Sequence, residues 1–164
     1  MFEIHVLQMN VELTKRMMEE FCFKGEIILH KESGRTSEDA ARALGVHVEK
    51  IVKSLLFRSK DGSYVGAILL GTSKVDVRKL ERLSGLKKLR LARKEEVLAF
   101  TGFKAGGVPP IAFKGKCRVF VDEKVFNHDW VIGAGGTEYS GLKFDPSELL
   151  KLGYVKEDIS KKQG

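Results

Sequence analysis

The chain has 164 residues, of which 43% are apolar and 31% charged, with a formal net charge of +7. That length suits one domain, residues 1–164, with a core of its own. No apolar run approaches a membrane span, so no membrane partner is expected.

The start MFEIHVLQMN lacks the basic-then-apolar layout of a signal peptide. With Cys22 and Cys117 far apart, the expectation is reduced thiols and a cytoplasmic setting. The charge is concentrated. Lys74 to Lys94 carries nine basic residues against two acids, Asp76 and Glu81, while the rest of the chain holds twenty of each sign. Such a segment is either a footprint for a polyanion or a solvated helix face.

In chain order, Glu12 to Phe23 reads as a helix with Leu13, Met17 and Phe21 on one stripe. Gly25 ends it, and Glu26 to His30 is a short strand. Thr36 caps a second helix, with Asp39 in capping-box position and Gly45 as its stop. After a turn or short helical piece at Val46–Lys50, the β-branched run Ile51 to Phe57 reads as a central strand buried on both sides. Asp61-Gly62 is a hairpin turn returning along Tyr64 to Leu70. Asp76 caps a helix from Val77 to Ser84, closed by Gly85. A short strand follows at Lys88–Leu91, then a helix from Arg93 to Thr101 stopped by Gly102. Strands are expected at Ile111–Phe113, Cys117–Asp122, Trp130–Gly133 and Tyr139–Phe144. Asp145-Pro146-Ser147-Glu148 opens a last helix, with Glu148 as a capping-box glutamate, and Ser160 to Gly164 is a frayed tail. The fold class is α/β (α+β): one mixed, mostly antiparallel sheet flanked by helices.

Two loops and one lysine resist a packing explanation. In Gly106-Gly107-Val108-Pro109-Pro110 a flexible pair is locked by a rigid one, giving a shaped loop with amides of Gly106, Gly107 and Val108 presented. A tight helix-to-strand turn is the plainer reading of such a sequence. Gly133-Ala134-Gly135-Gly136 follows a strand and is either a hairpin bend or bare backbone where a ligand docks. Lys53 interrupts an apolar strand, so its ammonium either snorkels out or faces a polar cleft. His5, His30, His47 and His128 are scattered, which gives no zinc spacing, and neither a nucleophile elbow nor a P-loop is present. No metal or other cofactor is expected.

These residues resemble a family. Ile51-Val-Lys-Ser-Leu-Leu-Phe57 is similar to the lysine strand of the YbaK/ProX domains, aminoacyl-tRNA deacylases related to the editing insertion of bacterial prolyl-tRNA synthetase. Gly106 to Pro110 matches their Gly-x-x-x-Pro loop, and Gly133 to Gly136 their late glycine turn. Thr36 to Ala41, Val75 to Leu80 and Phe120 to Asp122 fit in the same order, so the resemblance runs from about Thr36 to Ile159. It implies a mixed-sheet fold and metal-independent hydrolysis of the ester of a mischarged tRNA by a free-standing editing factor. Lys53, Gly106, Gly107, Val108 and Pro110 would then be catalytic, and Ser54, Gly133, Gly135 and Gly136 substrate-binding. Arg78, Arg82, Lys87 and Lys88 would meet tRNA. The expected partners are a mischarged aminoacyl-tRNA and an aminoacyl-tRNA synthetase. Some branches carry asparagine after the lysine or histidine in the late turn, where this chain has Ser54 and Gly135-Gly136. The competing reading is a non-catalytic RNA-binding or adaptor domain on the same scaffold.

Overall fold

A computed structural model describes residues 2–162. Its frame is a five-stranded sheet in the order β4-β2-β3-β5-β8. The strands are β2 (Val52–Arg58), β3 (Tyr64–Leu70), β4 (Arg90–Leu91), β5 (Arg118–Asp122) and β8 (Val155–Glu157). β2 and β3 form the hairpin expected around Asp61-Gly62, from Val52↔Leu70 to Arg58↔Tyr64, while β3–β5 and β5–β8 are parallel. A three-stranded antiparallel sheet, β1 (Glu26–Leu29), β7 (Ser140–Phe144) and β6 (Val131–Ala134), stands beside it. The two are joined by a parallel bridge between Ile51 and Ile132, so the mixed sheet is divided at that point.

Strand alternation sets the two faces of the hairpin. Val52, Leu56, Ile68 and Leu70 enter a core with Phe103, Ile111, Phe113 and Leu142. Phe57, Val65, Ala67 and Leu69 enter a second core with Leu80 of α3 (Val77–Ser84) and Ile159. Each helix is bounded by local chemistry. The Thr36 hydroxyl accepts from Asp39 N at the start of α2 (Ser37–Leu44), and Gly45 ends it at φ +68°. Asp76 accepts from Arg78 N and Lys79 N, and Gly85 closes α3 at φ +75°. Gly102 does the same for α4 (Lys94–Thr101) at φ +82°.

Several expectations are corrected. The first helix, α1, runs Phe2–Glu20. Val11 and Thr14 are buried on it while Leu13 is exposed, so the buried stripe is not centred on Leu13. Pro110–Phe113 is a 3-10 turn instead of a strand, because Pro110 fixes φ and Ala112 N closes back on Pro109 O at 3.0 Å. Glu148, in α5 (Ser147–Lys151), is no capping-box residue: its carboxylate accepts from Lys24 N at 2.8 Å and pairs with Lys151. The Asp145 side chain caps Ser147 N instead. Ser160 is buried, not frayed. Asp122 Oδ1 accepts from Ile159 N and Ser160 N, and Lys161 N donates to Lys74 O. Gln163 and Gly164 lie outside the described residues.

Candidate active site

The cleft exists because one strand outruns its neighbour. β4 pairs with β2 only at Phe57↔Leu91 and Arg58↔Arg90. The first half of β2 therefore has no strand on that side, and Lys53, Ser54 and Leu55 are only half-buried. The expectation of a strand covered on both sides holds for Leu56 and Phe57 and fails for these three. Beside this open edge lies a cleft of about 380 Å³, with walls from β2, the start of α2, Gly71 and the loop at Gly106 and Val108. A smaller apolar recess of about 100 Å³ adjoins it, sharing Ser54, Leu55, Gly106 and Val108.

Lys53 reaches into this cleft, settling the choice between snorkelling and a cleft position. Its Nζ donates to Gly71 O at 3.3 Å and to Ser73 O. An ammonium has three donors, so one remains for a ligand. Burial pushes the pKa of Lys53 down, the Glu38 carboxylate opposes the shift, and Lys74 adds to it. Gly71 lets this arrangement form: a Cβ there would lie 2.2 Å from Ser37 Oγ.

The glycine loop is a β-turn. Gly107 N donates to Lys104 O at 2.9 Å, and Gly106 sits at φ +92°, the third position of a type II turn. Of the three amides expected to be presented, that of Gly107 is thus taken up inside the turn. Gly106 and Val108 line the cleft, and no acceptor among the described residues takes their N–H groups. Gly107 serves a different end, since a Cβ on it would meet the Thr137 backbone at 2.9 Å. Pro110 is buried; its carbonyl accepts from Tyr154 OH at 2.7 Å.

The late glycine turn braces this loop. A Cβ on Gly133 would meet the Pro110 ring at 2.7 Å, and one on Gly135 the Ser140 Oγ at 2.9 Å. One on Gly136 would meet Thr14 Oγ1 at 2.5 Å and Asn10 O at 2.7 Å, both on α1. Of this turn, Ala134 reaches the cleft wall; Gly133, Gly135 and Gly136 let backbones approach behind it.

Sequence reasoning missed Glu38 and Arg35, both in the cleft wall. Glu38 follows the cap Thr36 by two positions, in the first turn of a helix whose N-terminus borders the cleft. It lies inside the Thr36 to Ala41 stretch that matches the family, but that match is read for its cap and assigns Glu38 no role. Arg35 pairs with Glu138 at 3.2 Å. Burial is the largest single influence on Glu138 and works against its ionisation, but hydrogen bonds from Arg35, Tyr139 and Ser33 and the Arg35 charge together outweigh it and hold that carboxyl below its ordinary range.

The basic segment starts at the cleft, with Lys74 close enough to repel Lys53. Lys79 is tied to Asp158 at 2.8 Å and Arg90 to Glu96 at 2.8 Å. Arg78 and Arg82, one helical turn apart on α3, are exposed and have no acidic partner among the described residues, and the same holds for Lys87 and Lys88. Among the described residues no three His, Cys, Asp or Glu side chains converge to hold a metal, and no helix is long and apolar enough to cross a membrane. Burial pushes the Cys117 thiol up to about 11, away from the reactive range.

The sequence matches the aminoacyl-tRNA editing domain over residues 31–152. The chain belongs to the aminoacyl-tRNA editing domain family. The likeness expected from the lysine strand and glycine loop is thereby borne out, over a similar span. A proline–tRNA ligase of Nitratidesulfovibrio vulgaris is 37% identical over 100 residues, which is 60% of this chain and 17% of the ligase. An Enterococcus faecalis protein provisionally named Cys-tRNA(Pro)/Cys-tRNA(Cys) deacylase EbsC is 26% identical over 117 residues, 71% of each chain. A crystal structure described as a provisional trans-editing enzyme for prolyl tRNA synthetase superposes with a TM-score of 0.84 at 33% identity. That match covers 93% of this chain and 98% of the other.

Proposed function

We propose that this editing-domain protein hydrolyses the ester joining a wrongly attached amino acid to the 3′ end of a tRNA. The observation that carries the reading is the pairing, in one cleft wall, of a carbonyl-anchored Lys53 ammonium with the unaccepted amides of Gly106 and Val108. Ester hydrolysis develops negative charge on the carbonyl oxygen, and fixed donors in a half-buried cleft stabilise it.

In the proposed reaction, water oriented by the vicinal ribose hydroxyl attacks the carbonyl, the loop amides hold the developing oxyanion, and the acyl–oxygen bond to the ribose breaks. The remaining Lys53 donor fixes the ester or the adjoining phosphate. Collapse releases the amino acid and restores the tRNA 3′ end. The proton passes to solvent or substrate, and the chemistry draws on no metal. The exposed row from Lys74 through Arg78 and Arg82 to Lys87 and Lys88 supports a tRNA backbone running away from the cleft. Likeness to a structure described as a trans-editing enzyme for prolyl tRNA synthetase supports action in trans, beside a synthetase.

The experiment is a deacylation assay over correctly and incorrectly charged tRNAs, Cys-tRNA(Pro) among them. Release of amino acid from one mischarged species, faster than from its correctly charged counterpart, is expected. Tight tRNA binding with no ester loss on any member would replace this reading with the adaptor one.

A further inference from the structure

We infer that Glu38 forms a subsite for the α-ammonium of the aminoacyl group, so that this chain selects esters bearing a free amine. The inference rests on the editing reading above and adds a recognition element to it.

The amino acid in an aminoacyl ester carries an amine that is largely protonated near neutral pH. A cleft lined by Lys53 and Arg35, with the Lys74 charge acting on Lys53, repels that cation unless a carboxylate faces it. The acids near the cleft can be taken in turn. Glu138 is held by Arg35 at 3.2 Å, and Asp39 by Arg42 at 3.4 Å. Glu38 lines the cleft and, among the described residues, has neither an ion pair nor a hydrogen bond from a side chain. Glu38 and Lys53 line the same cleft, and the Glu38 carboxylate acts through space on Lys53.

The fold fixes this placement. Thr36 caps α2 and Gly71 lets Ser37 seat closely on the β3 end, so the first turn of α2 stands beside Lys53. An ester bound with its carbonyl at the loop amides and Lys53 then has its α-carbon substituents a few bonds away. A carboxylate there discriminates the substrate's ammonium from neutral groups. It also explains why a cleft built for negative charge keeps an unpaired acid in its wall.

The test compares two substrates on the same tRNA: the aminoacyl ester and the corresponding α-hydroxy acid ester, in which a hydroxyl replaces the amine. Single-turnover kcat/KM is measured for wild type, Glu38→Gln and Glu38→Asp, with melting curves to confirm folding. Wild type prefers the amine ester by about threefold to fivefold, as expected for one exposed ion pair. Glu38→Gln brings the ratio close to one, chiefly through KM, and Glu38→Asp retains part of the preference. A wild-type ratio near one overturns the inference while leaving the deacylase reading intact. A parallel fall on both substrates in Glu38→Gln, with the ratio kept, also overturns it and assigns Glu38 to the chemical step. No turnover by wild type on either ester, across the panel of mischarged tRNAs, overturns both readings.

Discussion

Adjacent glycines in the signature loop do different work, and single substitutions separate them. At Gly107 a Cβ would fall 2.9 Å from the Thr137 Cα, a backbone atom that cannot step aside. Gly107→Ala is expected to cost about 1–3 kcal/mol by overpacking, visible as a lower melting temperature. At Gly106 a Cβ has room, with Arg35 Cγ at 3.6 Å, and the obstacle is φ +92°. Gly106→Asn, which tolerates positive φ, is therefore expected to melt nearer wild type than Gly107→Ala does. The reverse order would contradict this assignment. From sequence the two residues looked equivalent, because Thr137 is thirty positions away and nothing local announces it. Lys53 was legible as an anomaly, since a lysine in an apolar run needs a reason. Its anchoring carbonyls at Gly71 and Ser73 were not, since they arrive through the β2–β3 register.

At the scale of elements, the position of α4 depends on Glu96. Its carboxylate, with the side chain 13% exposed, takes Arg90 at 2.8 Å and also Arg58, while accepting from Arg93 N. Hydrogen bonds from Arg90, Arg93 N and Arg58 hold its pKa far below the ordinary carboxylate range. A depressed folded-state pKa contributes stability that is complete above the unfolded value of about 4.3 and is lost as pH falls towards the folded one. Glu96→Gln should therefore melt below wild type at pH 7, with a gap that shrinks steadily below about pH 4.3. Equal melting at pH 7 would leave the cluster without a role in docking α4. Helices were the most legible elements because their ends are written locally, by Thr36, Asp76, Gly45, Gly85 and Gly102. The open edge of β2 was not legible. It follows from the two-residue length of β4, a partner's property rather than its own.

Over the whole molecule the excess positive charge is concentrated in residues 74–94, a segment whose first member, Lys74, acts on Lys53. If Arg78 and Arg82 meet phosphates, tRNA affinity falls steeply with salt, and reversing both to Glu lowers the log–log salt slope by about 2. Titrations of uncharged tRNA at several salt concentrations check this. An unchanged slope would return α3 to a solvated face. The account as a whole stands on Lys53 acting as a fixed charge at the ester. Loss of one such contact costs on the order of 3 kcal/mol, or about a hundredfold in rate. The most direct measurement is single-turnover deacylation of a mischarged tRNA by wild type, Lys53→Ala and Lys53→Arg, each verified as folded. The account predicts a drop of about a hundredfold for Lys53→Ala and little recovery for Lys53→Arg, which replaces the compact ammonium held by the Gly71 and Ser73 carbonyls with a longer planar fork. Undiminished turnover by Lys53→Ala would contradict it.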